Sequence, residues 1–432
     1  MSGAKESRVA EDFSVCVVGL GRIGLPLAVQ CASKGLRVSG CDIAPEIVRQ
    51  VNEGTCPYAD EEGLAEKLGA AHAAGLISAT TDTAEAVRRS NVVVIVVPVG
   101  LTAEKGAGFA ALDAAARAVA AGIQQGTLVV LETTVPLGTT RERLGRALAA
   151  SGMRVGEDLF LAYSPERVFV GRVLTDLQRY PKVVGGCDAA SARRATAFYA
   201  RALDAPLRAV ANCETAELVK LAETTYRDVN IALANEFARA ADEHGVDVTE
   251  AIAAANTQPF SHIHQPGVGV GGHCIPVYPR FLLEGTAARL PRAAREINDG
   301  MAAYAVERLA QAVGGLREKT ALILGISYRP DIKEPAFSSA FPLARELAAR
   351  GARVLVHDPY FSASEIRALG LAPVETLPPP HVDAVVIQAF HEEYRRLDWR
   401  AFAGCRAVLD GRNALSRQSV ESLGMRYLGI GR

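Results

Sequence analysis

An excess of charge of either sign is missing from this sequence. Its 432 residues carry 47 Lys+Arg against 48 Asp+Glu, a formal net charge of −1. The cationic surplus that draws a protein to nucleic acid or to an anionic membrane surface is absent, and neither partner is expected. Long apolar runs are missing too. The stretch NVVVIVVPVG is cut by Pro98 and Gly100 well short of the roughly 20 residues that span a bilayer. The opening MSGAKESRVAEDF is polar and mixed in charge, without the apolar core of a secretion signal. The eight Cys form no CxxC pair and no Cys/His metal spacing, so no metal site is expected. Free thiols without a secretion signal point to a reducing, cytoplasmic setting. What is present is length and apolar content. With 49% hydrophobic residues, the chain can fill two or three domains whose cores need no staple.

The first part alternates short apolar runs with helical stretches. Segments 13–19, 36–42, 91–98, 127–132, 158–163 and 182–186 read as buried strands, and 24–34 and 109–122 as helices. Continuous rather than alternating apolar strands, separated by helices, predict a parallel sheet covered on both faces. From 212 the character changes. No Gly or Pro interrupts the chain until Gly245, which predicts a long helix acting as a spine between domains. A loop rich in Gly, Pro and His (259–279) and a helix over 291–313 follow. Strand–helix alternation then returns, with strands over 320–326, 353–359, 383–388 and 406–410. The expected class is α/β: two doubly wound domains joined by a long central helix and a helical middle.

Four motifs carry chemistry. Gly19-Leu20-Gly21-Arg22-Ile23-Gly24 follows a strand and opens a helix, and Asp42 closes the next strand. In that setting Gly19 permits the tight turn, Gly21 admits a pyrophosphate and Gly24 lets helix and strand pack closely. A carboxylate at Asp42 suits a ribose 2′-hydroxyl and repels a 2′-phosphate, so NAD is expected over NADP. The second motif is the loop Gly267-Val268-Gly269-Val270-Gly271-Gly272-His273-Cys274-Ile275-Pro276. Its glycines can wrap a ligand and offer bare N–H groups. It ends on a thiol, which is either a nucleophile toward a carbonyl or a small buried apolar group. Third, Lys220, Thr224 and Arg227 share one face of the spine helix, with Asn230 and Asn235 beyond them. That face either lines a cleft or is simply solvated. Fourth, Glu132-Thr133-Thr134-Val135-Pro136 and Tyr163-Ser164-Pro165-Glu166-Arg167 lie just past strand ends, where open α/β sheets bind ligands.

Taken together, these residues resemble the UDP-glucose/GDP-mannose dehydrogenase family of nucleotide-sugar 6-dehydrogenases. The resemblance rests on VVGLGRIGLPLA, ETTVPLGTT, YSPERV, AELVKLAETTYRDVNIALANE, GVGVGGHCIPV and LGISYRPDIKE, and runs through nearly the whole chain. RDVNIALANE and GGHCIPV look more like the branch acting on UDP-N-acetylhexosamines than the UDP-glucose branch. The resemblance implies an NAD-binding domain over 1–208, a central helical dimerisation domain with the cysteine loop over 209–312, and a nucleotide-sugar domain over 313–432. It implies a homodimer that oxidises the C6 alcohol of a UDP- or TDP-glucose or a UDP-N-acetylhexosamine to the acid, consuming two NAD. Cys274 would be the nucleophile and Lys220 would stabilise oxyanions. Glu166 and Thr134 would handle protons and water, with Thr224 beside them. Gly19, Gly21, Arg22, Ile23, Gly24, Asp42, Pro98 and Thr134 would hold NAD. Glu166, Arg167, Val168, Lys220, Arg227, Asn230, His264, Gly267, Gly271, Gly272, Tyr278, Tyr328 and Arg329 would hold the sugar nucleotide. The chain departs from the family's usual residues at Val99, Thr224, Gln265, Tyr278 and Ala336, which points to a sub-branch with its own sugar or nucleotide. Two other readings stay open from the residues alone: a two-electron hydroxyacid-type dehydrogenase, and a non-catalytic binder of NAD and nucleotide sugar. The first leaves the cysteine loop and the second nucleotide-type domain without a use.

Overall fold

The computed structural model describes residues 12–402 and 404–432. The chain divides into two compact units, one ending at Ala222 and the other starting at Glu223.

The first unit is built on an eight-stranded sheet. Its strands are β1 (Ser14–Val18), β2 (Arg37–Cys41), β3 (Ile77–Thr80), β4 (Val92–Ile95), β5 (Leu128–Leu131), β6 (Phe160–Tyr163), β7 (Lys182–Gly186) and β8 (Leu207–Ala209). They lie side by side in the order β8-β7-β6-β5-β4-β1-β2-β3. Every residue of β4 and β5 is buried, as the continuous apolar runs require when helices cover both faces. The chain runs outward from β1 through β2 to β3, then returns to add β4 on the other side of β1. The carboxyl end of β1 is therefore a topological switch point, where such sheets bind nucleotides.

The last two strands run against the parallel direction that the sequence predicts, β8 lying parallel to β7. β7 pairs antiparallel with β6, Ala162 facing Gly186 and Tyr163 facing Gly185, so the sheet is not wholly parallel. The excursion between them contains a helix of only seven residues, Val173–Arg179. It brings the chain back at the end of the sheet where β6 stopped, so β7 starts there. Lys182, the first residue of β7, thus stands at the carboxyl rim of β5 and β6.

The second unit holds a five-stranded, all-parallel sheet. β9 (Thr320–Leu324), β10 (Arg353–His357), β11 (Ala384–Ile387), β12 (Ala407–Asp410) and β13 (Arg426–Gly429) are ordered β10-β9-β11-β12-β13. It repeats the logic of the first sheet: Gly325 follows β9 with φ +92°, and the Asp358 carboxylate after β10 accepts the Ile326 N–H at 2.6 Å.

The spine helix spans Cys213–His244 and stops at Gly245, whose φ of +66° only glycine adopts at little cost. In the second unit it packs on the helix Arg289–Val313 through a buried polar ladder. Arg295 Nη1 donates to Asp228 Oδ1 at 2.5 Å, Asn298 Nδ2 to Asp228 Oδ1 at 2.7 Å, and Asn235 Nδ2 to Asn298 Oδ1 at 2.9 Å. Burial pushes the Asp228 carboxyl upward, opposed by Arg295 and Asn298.

Candidate active site

The glycine turn sits at the switch point. Gly19 has φ +96°, and a Cβ on Gly24 would stand 1.9 Å from the Gly19 carbonyl oxygen. Both must be glycine for the strand to enter the helix Gly24–Ser33. A Cβ on Gly21 meets nothing within 4 Å, the open face across which a pyrophosphate is received. Asp42 ties the turn to β2: Oδ2 accepts the Leu20 N–H at 2.8 Å and Oδ1 the Ala44 N–H at 2.9 Å. Ile43 beside it is 97% exposed, an apolar surface next to the carboxylate that suits a nucleoside. The residues fit a dinucleotide, which when bound supplies the hydride acceptor. Arg22 turns aside to Asp60, 2.7 Å away. Ile23 packs against the core, and Pro98 is exposed beyond β4. Asp42→Ala is expected to lower the NAD-to-NADP ratio of kcat/KM by about tenfold, 1.4 kcal/mol. A wild-type enzyme that already uses NADP as well as NAD would contradict this assignment.

At the carboxyl rim of β5 and β6 the structure brings Lys220 and Glu166 together with Glu132 of the fourth motif and with Lys182 and Tyr199, which the sequence reading missed. Lys220 donates from Nζ to the backbone carbonyl of Glu166. Lys182 Nζ lies 2.9 Å from Glu132 Oε1 and forms an ion pair with Glu166 Oε1. The Tyr199 hydroxyl donates to the same Glu132 oxygen. Burial lowers the pKa of Lys182, against the raising effect of Glu132. Thr134 is buried just past β5. Arg167 Nη1 reaches the Pro181 carbonyl at 3.2 Å, and Val168 packs on the core.

In the second unit, half-buried Cys274 closes the glycine loop. Its carbonyl accepts the N–H of Tyr278 at 2.9 Å, so the thiol sits on a turn that runs into the helix Tyr278–Leu283. The loop is held from several sides. Gly267 N–H donates to Asn235 Oδ1 at 2.9 Å, and Gly272 N–H to the Ala336 carbonyl at 2.8 Å. These two groups are not the bare donors that the sequence suggested; the ladder and the 328–339 segment use them. A Cβ on Gly271 would stand 2.6 Å from the Tyr328 Cβ, and one on Gly272 would meet the Tyr328 ring at 3.1 Å. Beneath Gly267, Arg412 donates from Nε to the Gln388 carbonyl at 2.6 Å and from Nη1 to the Gly269 carbonyl at 3.3 Å. Burial lowers its pKa to about 10. Nothing in the local sequence marked Arg412, which follows β12 in an ordinary Asp-Gly turn.

The remaining predicted residues divide. Asn230 spends its amide on the loop, Oδ1 accepting from His264 N–H at 2.9 Å and Nδ2 donating to the His262 carbonyl at 2.6 Å. His264 is held below its usual pKa by burial and by Arg227. Thr224 is buried, and Arg227 and Arg329 are exposed.

Sequence models of the UDP-glucose/GDP-mannose dehydrogenase family match the chain in three pieces. The NAD binding domain covers residues 13–203, the central domain 214–300 and the UDP binding domain 322–417. The chain is similar to the UDP-N-acetyl-D-mannosamine dehydrogenase of Pyrococcus horikoshii, 35% identical with 97% of this chain and 99% of that protein covered. It is similar to the NDP-N-acetyl-D-galactosaminuronic acid dehydrogenase of Ralstonia nicotianae, 35% identical with 95% and 98% covered. Among solved structures, it resembles a UDP-glucose dehydrogenase from Pyrobaculum islandicum with TM-score 0.84, 31% identity and 98% and 99% of the two chains covered. The chain therefore belongs to the UDP-glucose/GDP-mannose dehydrogenase family and is an NAD-dependent oxidoreductase of nucleotide sugars.

Proposed function

We propose that this enzyme oxidises the C6 hydroxyl of a nucleoside-diphosphate hexose to the carboxylate in four electrons, with Cys274 as covalent nucleophile. The sugar we assign is an N-acetylhexosamine, since both relatives above are named for N-acetylated sugars, N-acetyl-D-mannosamine and N-acetyl-D-galactosaminuronic acid. The observation that carries the reading is the clamped glycine loop, which holds a single thiol in place with hydrogen bonds at Gly267, Gly269 and Gly272. Such investment in one cysteine suits a nucleophile better than a space-filling group.

An alcohol becomes an acid only by losing two hydrides, and the intermediate aldehyde must be made tetrahedral before it can lose the second. In this reading the Cys274 thiolate adds to the aldehyde carbon, giving a thiohemiacetal whose oxyanion the Lys220 ammonium stabilises. Loss of the second hydride leaves a thioester on Cys274. Glu166 takes a proton from the water that cleaves it, Thr134 positions that water, and the acid leaves as Cys274 is freed. The functional division we assign is NAD binding by 1–208, dimerisation and the cysteine loop in 209–312, and sugar-nucleotide binding by 313–432. A panel of UDP- and TDP-glucose, UDP-N-acetylglucosamine, UDP-N-acetylmannosamine and GDP-mannose, followed by NADH absorbance, tests the assignment. Preference for an N-acetylated sugar is expected, and fastest turnover of a glucose or mannose nucleotide would overturn it.

The enzyme is further proposed to be a cytoplasmic homodimer. Among the described residues no helix is long and apolar enough to cross a membrane. On the spine helix, Tyr226, Leu233 and Phe237 are 56%, 45% and 41% exposed. Their spacing of seven and four residues puts them in one stripe, which a second copy of the helix would cover. Light scattering at micromolar concentration is expected to give a dimer, and Leu233→Glu with Phe237→Glu a monomer. A wild-type monomer would contradict the assignment.

A further inference from the structure

We propose that Lys182 is a positioning residue for the reaction, setting both the direction and the charge state of the Glu166 carboxylate. The proposal rests on the reading above that gives Glu166 a proton to carry.

Three side chains meet where almost no water reaches. Those of Glu132, Lys182 and Glu166 are 0%, 5% and 11% exposed. One ammonium stands between two carboxylates, and the two ends of the cluster are not equivalent. Glu132 is the anchored end: it is wholly buried, Tyr199 donates to it, and the Tyr199 ring centroid lies 4.9 Å from the Lys182 ammonium. Glu166 is the open end. Its backbone carbonyl takes Lys220 while its carboxylate takes Lys182, so one residue is gripped by two lysines at two points. Glu132 and Tyr199 hold the Lys182 ammonium still, and it fixes the carboxylate rotamer. A cation at ion-pair contact also favours the ionised carboxylate, the form that accepts a proton from water.

The placement follows from the fold. Because β7 runs antiparallel to β6, its first residue reaches the sheet edge where Glu132 and Glu166 emerge. In a parallel strand the same lysine would begin at the opposite edge of the sheet. An ion pair kept only for stability can also be buried, so the test needs a readout that stability does not move.

That readout is kcat against pH, whose limbs report groups titrating in the substrate complex. It would be measured on the full-length enzyme with NAD and the fastest substrate of the panel. Lys182→Met is expected to lower kcat at neutral pH by about a hundredfold with KM within a few fold. Its acid limb should move up by roughly one to three pH units, because Glu166 loses its cation. Lys182→Arg should restore the limb. If Lys182→Met does not fold, Lys182→Met combined with Glu132→Gln removes both anchored charges and should show the same displaced limb. A wild-type limb in whichever of these folds, alongside a strongly impaired Glu166→Gln, would overturn the role given to Lys182 alone. A Glu166→Gln enzyme with wild-type kcat would overturn the reading on which the proposal rests.

Discussion

Cys274→Ala is expected to form no covalent adduct and no uronic acid. Deleting a covalent nucleophile in other enzymes costs on the order of 10⁶ in kcat, and a loss of at least about a thousandfold is expected here. The reason is chemical. Without sulfur addition the aldehyde carbon stays trigonal, and no oxyanion is available to expel a second hydride. Alanine keeps the loop, because its fixed points are the backbone of Gly267, Gly269 and Gly272 and not the thiol. Cys274→Ser should stall or trap the substrate as an ester-like adduct, since a hydroxyl is the poorer nucleophile. Intact-protein mass spectrometry after mixing enzyme, NAD and nucleotide sugar reads these outcomes. The neighbouring Tyr278 is expected to matter little. A phenol stays protonated at neutral pH and cannot serve as base there, and the backbone bond from the Tyr278 N–H to the Cys274 carbonyl is kept when the hydroxyl is removed. Tyr278→Phe should therefore turn over almost normally without accumulating thioester. Near wild-type acid formation by Cys274→Ala would contradict the covalent route.

Lys220→Ala should lose about 10²–10³ in kcat, roughly 3–4 kcal/mol of transition-state stabilisation, with KM within about threefold. An ammonium that meets charge only as the oxyanion develops lowers the barrier without tightening the ground-state complex. Lys220 is placed for a fixed role. It rises from the spine helix, half-buried, and reaches the Glu166 carbonyl. The measurement is steady-state kinetics. A raised KM with kcat intact would make Lys220 a binding residue outside the chemistry.

The parts of this molecule that could be read directly are those in which one short segment carries its own reason. Gly19, Gly24 and Asp42 follow from turn sterics and strand order, and each stands where the pattern put it. The spine helix was legible because nothing from 213 to 244 breaks a helix and Gly245 does. The buried strands of both sheets announced themselves as unbroken apolar runs, although β3, β8 and β13 were too short or too polar to be seen. What stayed hidden depends on partners far apart in the chain. Lys182 opens KVVGG and looks like the polar edge of an ordinary strand. Only the antiparallel join to β6 carries it to Glu132 and Glu166. Arg412 is likewise silent until β12 sets it under a loop more than 140 residues earlier in the chain. The glycine loop was recognised, but half of its purpose was missed. Gly267, Gly271 and Gly272 are small so that Arg412 and Tyr328 can approach, a packing demand that no local pattern records.

Counting NADH formed per molecule of sugar consumed tests the central claim most directly. The enzyme is incubated with excess NAD and a limiting amount of its best nucleotide sugar, and absorbance is compared with the acid produced. The account predicts two NADH for each sugar and one uronic acid, with no free aldehyde. One NADH per sugar, with the aldehyde as product, would contradict the four-electron route through Cys274.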